Sequence, residues 1–148
     1  MEPLSSSPES LPETVLQLWP QMGGTWEVTV RGNSMIPVLC DGDRVRIRLG
    51  ADGLQCGQII AFRFQGQLVT HRLIARPDPG TLLFKGDHCR TMDPLQPLEA
   101  VLGCVIARRR GTLWQCMDTL AWRWSGRLLA QSALLLIRMK QMKRKMLG

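Results

Sequence analysis

Hydrophobic and polar positions alternate along most of this chain with the period of a strand, and only toward the C-terminus do they shift to the period of a helix. Trp26-Glu27-Val28-Thr29-Val30-Arg31 puts apolar residues on every second position, as a half-buried strand does. Arg44-Val45-Arg46-Ile47-Arg48-Leu49 is sharper, with basic residues on one face and aliphatics on the other. Gln58–Phe64 (QIIAFRF) is apolar with little alternation and predicts a more buried strand. Gln65-Gly66-Gln67 predicts a hairpin connection, and Leu68–Ala75 (LVTHRLIA) the return strand. Leu82–Lys85 and Val101–Arg108 add further strands. The expectation for residues 24–111 is a mainly β domain, a small curled antiparallel sheet or partly open barrel.

The pattern changes after Gly111. Leu113, Met117, Leu120, Ala121, Trp124 and Leu128 fall on one stripe at helical spacing, with Ser125-Gly126 as a point of interruption. Ala133–Ile137 is apolar all round, and RMKQMKRKM follows, bases interspersed with methionines. Residues 112–148 therefore predict a basic amphipathic helical tail. At the other end, residues 1–23 read as a leader rich in Ser and Pro, with a short helix over Leu11–Met22 stopped by Pro20 and Gly23-Gly24.

Composition adds bounds. At 148 residues and 45% hydrophobic, the chain fits one globular domain that hides roughly two-thirds of its unfolded surface. Gly 14 and Pro 9 supply the turns that many short strands need. The net charge of +7 is uneven: residues 104–148 hold ten Lys/Arg against Asp118 alone, whereas residues 1–103 hold nine bases against eleven acids. A nearly neutral body thus carries a strongly basic tail, which calls for an anionic partner. Trp114, Trp122 and Trp124 beside those cations suit a bilayer interface, so residues 113–148 are expected to meet a membrane surface. A partner protein is the other candidate. Nucleic acid is not expected, because no helix-turn-helix or zinc-finger pattern is present.

Five cysteines, an odd number with no CxxC pair, argue against a disulfide framework and for a reducing compartment. The N-terminus has neither a basic n-region nor a long apolar run, so no signal peptide or anchor is expected there. No stretch reaches the roughly 18–20 apolar residues of a transmembrane helix. The expected location is peripheral, on the cytoplasmic face of a membrane.

Candidate chemistry centres on Gly32-Asn33-Ser34-Met35-Ile36-Pro37. Alone, Ser34 reads as a turn residue. A serine hydroxyl becomes a nucleophile only when a base takes its proton, and a carboxylate commonly orients that base. The chain has two histidines: His71 in the predicted return strand, and His88 in Gly86-Asp87-His88-Cys89. His71 alone also fits a buried, hydrogen-bonded strand histidine. His88 and Cys89 lack the spaced partners of a zinc site, so neither metal nor cofactor is expected. Arg108-Arg109-Arg110 reads as a solvated strand end.

Four boxes in order, followed by a closing strand, resemble the type I signal peptidases and their relatives. Gly32–Pro37, followed by Gly42-Asp43-Arg44-Val45, resembles the nucleophile box. Gly57-Gln58-Ile59-Ile60-Ala61-Phe62 resembles the next strand, with Gln58 where that family usually has Asp. Val69-Thr70-His71-Arg72-Leu73-Ile74 resembles the base-bearing strand. Phe84-Lys85-Gly86-Asp87-His88, with Asp93 beyond it, resembles the third box, and Gly103 lies in what resembles the closing strand. The likeness spans roughly residues 26–107. Most bacterial members use lysine as base. His71 instead resembles the serine–histidine branch, of archaeal and endoplasmic-reticulum type.

The resemblance implies a serine endopeptidase that cleaves signal or leader peptides after small residues, binding the substrate as an added strand. It implies Ser34 as nucleophile and His71 as general base, with Asp93 or Asp87 supporting His71 and Asp93 favoured. Asp87 could instead do structural work in a tight turn. The Ser34 backbone N–H would hold the oxyanion. Some relatives carry a second donor, a hydroxyl two residues before the nucleophile, where this chain has Gly32. Membrane signal peptidases usually carry transmembrane helices; none is expected here, so the tail would have to replace the anchor. Two competing readings remain. One is a self-cleaving domain like the phage-type repressors, which use lysine and usually have a DNA-binding domain. The other is a non-catalytic membrane- or partner-binding module on the same scaffold.

Overall fold

The computed structural model describes Leu18, Gln21 and residues 23–148. The leader helix expected over Leu11–Met22 therefore lies almost wholly outside the described residues. Eight strands form one antiparallel sheet that does not close into a barrel: β1 (Thr25–Thr29), β2 (Arg44–Leu49), β3 (Ile59–Phe64), β4 (Gln67–Asp78), β5 (Thr81–Lys85), β6 (Gln96–Pro97), β7 (Val101–Arg110) and β8 (Leu113–Cys116). Their order is β1-β2-β7-β3-β4-β5-β6, with β8 also paired to β7. One helix, α1 (Leu120–Leu147), follows.

The sheet buries both its faces in the middle. Ile59 and Ala61 join a core with Trp26, Val28, Met35, Val45 and Ile47. Their neighbours Ile60 and Phe62 point the other way, into a second core with Leu73, Leu82 and Phe84. That is why QIIAFRF does not alternate: β3 has no solvent face along its first four residues. Phe62 and Phe84 stack at 4.1 Å between ring centroids. In β2, by contrast, Val45, Ile47 and Leu49 are buried while Arg44 and Arg46 turn outward to Glu27 of β1.

Two places differ from the sequence reading. Leu113–Cys116 is a strand, paired Ala107↔Cys116 through Arg110↔Leu113, and not the first turn of the tail helix. The turn at Gly111, with φ of 65°, doubles the chain back so that backbone pairing with β7 overrides the helical spacing. The helix starts later, at Thr119, whose hydroxyl accepts the Trp122 N–H at 3.4 Å. Nor do Ser125 and Gly126 interrupt it, since α1 is continuous. Gly126 is instead a point of contact. A Cβ there would lie 2.3 Å from the Gly57 carbonyl oxygen, so only glycine lets the helix backbone seat on the turn before β3.

Candidate active site

Ser34 sits in the loop between β1 and β2 and is held from both sides. Ahead of it, Gly32 takes a φ of 85° and its N–H donates to Asp41 at 2.8 Å. Behind it, Met35 is buried in the first core and fixes the chain. The Ser34 carbonyl accepts the His88 N–H at 2.9 Å, which ties the serine loop to the loop after β5.

His71 lies in mid-β4, opposite Ile60 of β3, and is 8% exposed. Its Nε2 is 3.0 Å from the Ser34 hydroxyl oxygen. Its Nδ1 is 2.5 Å from an Asp93 carboxylate oxygen. Asp93 is fixed in turn by its own N–H, which donates to the Phe84 carbonyl at 2.9 Å. The Phe62 ring meets the imidazole edge-on, 6.1 Å between centroids. In the neutral tautomer that can act as base, Nδ1–H donates to Asp93 and Nε2 accepts from Ser34.

Asp87, the other acid of the sequence reading, turns elsewhere. Its two oxygens take the Arg72 guanidinium at 2.8 and 2.6 Å. Arg72 is 3% exposed, and its remaining arm donates to the Gly57 carbonyl at 2.6 Å. The fork satisfies a buried cation on one carboxylate and one carbonyl, as planar guanidinium chemistry allows. Gly86, between β5 and Asp87, sits where Ser34 and His71 converge. A Cβ on it would lie 2.6 Å from the Ser34 carbonyl oxygen and 3.2 Å from His71 Nε2, so a larger residue would push the pair apart.

A second clamp holds the loop that follows Ser34. Arg108 donates to the Val38 carbonyl. Arg110 donates to the Pro37 carbonyl at 3.2 Å and to both oxygens of Asp43 at 3.1 and 2.8 Å. Asp43 also accepts the Cys40 N–H at 2.8 Å. Burial alone would push its carboxyl up, but the Arg110 bond, the Cys40 N–H and the nearby guanidinium charges outweigh burial and hold it below the ordinary value of 3.8. The end of β7 is therefore not a plain solvated strand end. The only sequence signal was an arginine run whose alternate members face one side of a strand. Gln58 likewise has a turn-capping role: its side-chain carbonyl accepts the Gln55 N–H at 2.8 Å.

The other candidate ligands do not assemble. The His88 side chain is exposed, and among the described residues no three or more His, Cys, Asp or Glu side chains group as a metal site. The five cysteines are free thiols; burial pushes Cys104 up to about 11, which makes it a poor nucleophile.

A hydroxyl, an imidazole and a carboxylate in hydrogen-bonded series can activate the hydroxyl for attack on a carbonyl. Comparison with known proteins points the same way. A family model described as Peptidase S24-like matches residues 7–89, more than half the chain, and includes both Ser34 and His71. No curated protein matches the chain.

Proposed function

Because the chain belongs to the Peptidase S24-like family, we propose that its serine-peptidase kind of activity is carried by Ser34, His71 and Asp93 and is directed at leader or signal peptides cut after small residues. The observation that carries this reading is the unbroken series from the Ser34 hydroxyl through both His71 nitrogens to Asp93.

In the proposed reaction, the Ser34 hydroxyl oxygen attacks the scissile carbonyl and its proton passes to His71 Nε2. The imidazolium is stabilised by Asp93, which also fixes the tautomer. The Ser34 backbone N–H faces the developing oxyanion; one such donor is worth on the order of 3 kcal/mol of transition-state stabilisation. His71 then gives its proton to the leaving amine, and the C–N bond breaks. Water, deprotonated by His71, hydrolyses the acyl-serine and regenerates the free hydroxyl. Asp87 has no part in the proton path and holds Arg72, the neighbour of His71.

The test is incubation of the purified protein with a peptide library rich in small residues after an apolar stretch, read by mass spectrometry. Cleavage by the wild type that is absent from both Ser34→Ala and His71→Ala supports the reading. Cleavage that persists in either variant overturns it. The family match also favours a second reading, cleavage of the protein's own chain. In that case the purified wild type shortens on standing at a rate independent of protein concentration, Ser34→Ala stays intact, and no library peptide is cut.

A further inference from the structure

Helix α1 has two halves with different surroundings. Its first part is seated on the sheet through Gly126 and Ala130, the two buried residues of the helix, with Trp122 packed against the first core. Beyond Ala130 no residue of α1 is buried, yet the helix runs on to Leu147. At 1.5 Å per residue this distal part is about 25 Å long.

The distal part is patterned. Leu135 and Met142 are seven residues apart, and Met139 and Met146 follow each by four. These four side chains form one stripe on the side of the helix opposite Gly126 and Ala130. They are between 46% and 81% exposed. Arg138 and Lys145 border the stripe on one side and Lys143 on the other. The helix holds seven Lys/Arg and no Asp or Glu.

Charge decides what can cover this stripe. The spacing would suit a second copy of the helix, but pairing two copies along the distal part would bring five cations from each (Arg138, Lys140, Lys143, Arg144 and Lys145) together with no anion on either stretch, which opposes association. A nucleic acid would meet the cations and leave the apolar stripe unused. An anionic bilayer answers both features: the stripe enters the acyl boundary while the bordering cations extend to lipid phosphate. No helix among the described residues is long and apolar enough to cross a membrane, so α1 would lie in the interface plane.

We propose that residues 131–147 are a docking surface for an anionic lipid bilayer, and that the seated first part of α1 holds the β domain beside that surface. This goes beyond the peptidase reading and does not depend on it.

The test is co-sedimentation of the full chain with phosphatidylcholine vesicles made with and without phosphatidylglycerol, over a range of salt. The wild type is expected to bind the vesicles with phosphatidylglycerol, and binding should weaken as salt rises. A variant carrying Leu135→Ser, Met139→Ser, Met142→Ser and Met146→Ser, unchanged in charge, is expected to bind at least about tenfold more weakly. A second variant carries Arg138→Gln, Lys140→Gln, Lys143→Gln, Arg144→Gln and Lys145→Gln, which removes all five cations of the distal part. Glutamine is a good helix former, so this variant keeps the test decisive if the serine variant loses its helix. Its binding is expected to fall to the level seen with phosphatidylcholine alone. The proposal is overturned if the wild type ignores the vesicles with phosphatidylglycerol, if both variants bind as the wild type does, or if the wild type forms a lipid-independent dimer that the serine substitutions dissolve.

Discussion

His71 and Arg72 are adjacent on one strand, and each meets an aspartate from the segment after β5, yet the two pairs are built for different work. His71 with Asp93 opens onto Ser34, and the imidazole has one nitrogen on each partner. Arg72 with Asp87 is shut between the strand and α1, with both side chains almost fully buried and every arm of the guanidinium engaged. A pair proposed to move a proton leaves one partner facing a hydroxyl. A pair meant to hold position is saturated. Because side chains alternate along a strand, neighbouring residues can serve these opposite ends without interfering. The buried fork fixes Asp87, and the next residue's N–H holds the Ser34 carbonyl.

The contrast can be broken from either side. The largest effect is expected at the proposed nucleophile and base: Ser34→Ala and His71→Ala should each lower kcat by about 10⁴-fold or more, with Tm nearly unchanged for Ser34→Ala and lowered for His71→Ala, which empties a buried site and leaves Asp93 without its partner. Asp93→Asn should lower kcat by up to about 10⁴-fold, again with little change in Tm, because the amide cannot stabilise the imidazolium. Asp87→Asn should do the reverse. Leaving Arg72 buried without its carboxylate should cost about 3–5 kcal/mol in urea unfolding, with kcat at low temperature falling far less than for Asp93→Asn. Equal kinetic and thermodynamic effects at the two aspartates would end the distinction.

A smaller effect is expected at Gly126. In an ordinary helix, glycine to alanine stabilises by about 1 kcal/mol. Here the added Cβ would press on the Gly57 carbonyl oxygen, so Gly126→Ala should destabilise instead, by about 1–3 kcal/mol in denaturant melts. The smallest concerns pH. Asp43 has a lowered pKa in the folded state, so its contribution to stability is fully present above 3.8 and disappears as pH falls through the lower folded value. Asp43→Asn should therefore flatten the dependence of Tm on pH below about 4 and lower Tm modestly at neutral pH.

The sheet was legible where one strand's own pattern decides its fate. β2 shows its buried and solvent faces in six residues, and β3 shows burial on both faces by failing to alternate. The pairing of Ser34 with His71 was legible only through ordered motifs, since the two lie 37 residues apart and nothing local brings them together. The resemblance favoured Asp93 over Asp87, but which carboxylate touches His71 shows only in three dimensions, because both follow the same strand. Leu113–Cys116 misled because apolar spacing over four residues does not distinguish a strand from a helical turn when a positive-φ glycine sends the chain back along its neighbour. The seat of Gly126 on Gly57 had no sequence signal beyond two glycines, each unremarkable in its own segment.

The most direct test of the proposed mechanism is kcat/KM for the best-cleaved library peptide, measured side by side for the wild type, His71→Ala and Asp93→Asn, each confirmed to be folded at the assay temperature. Measurable turnover is expected for the wild type, none above background for His71→Ala, and a large loss in kcat for Asp93→Asn. Turnover by His71→Ala at the wild-type rate would contradict it, because the serine would then be activated by something other than the histidine beside it.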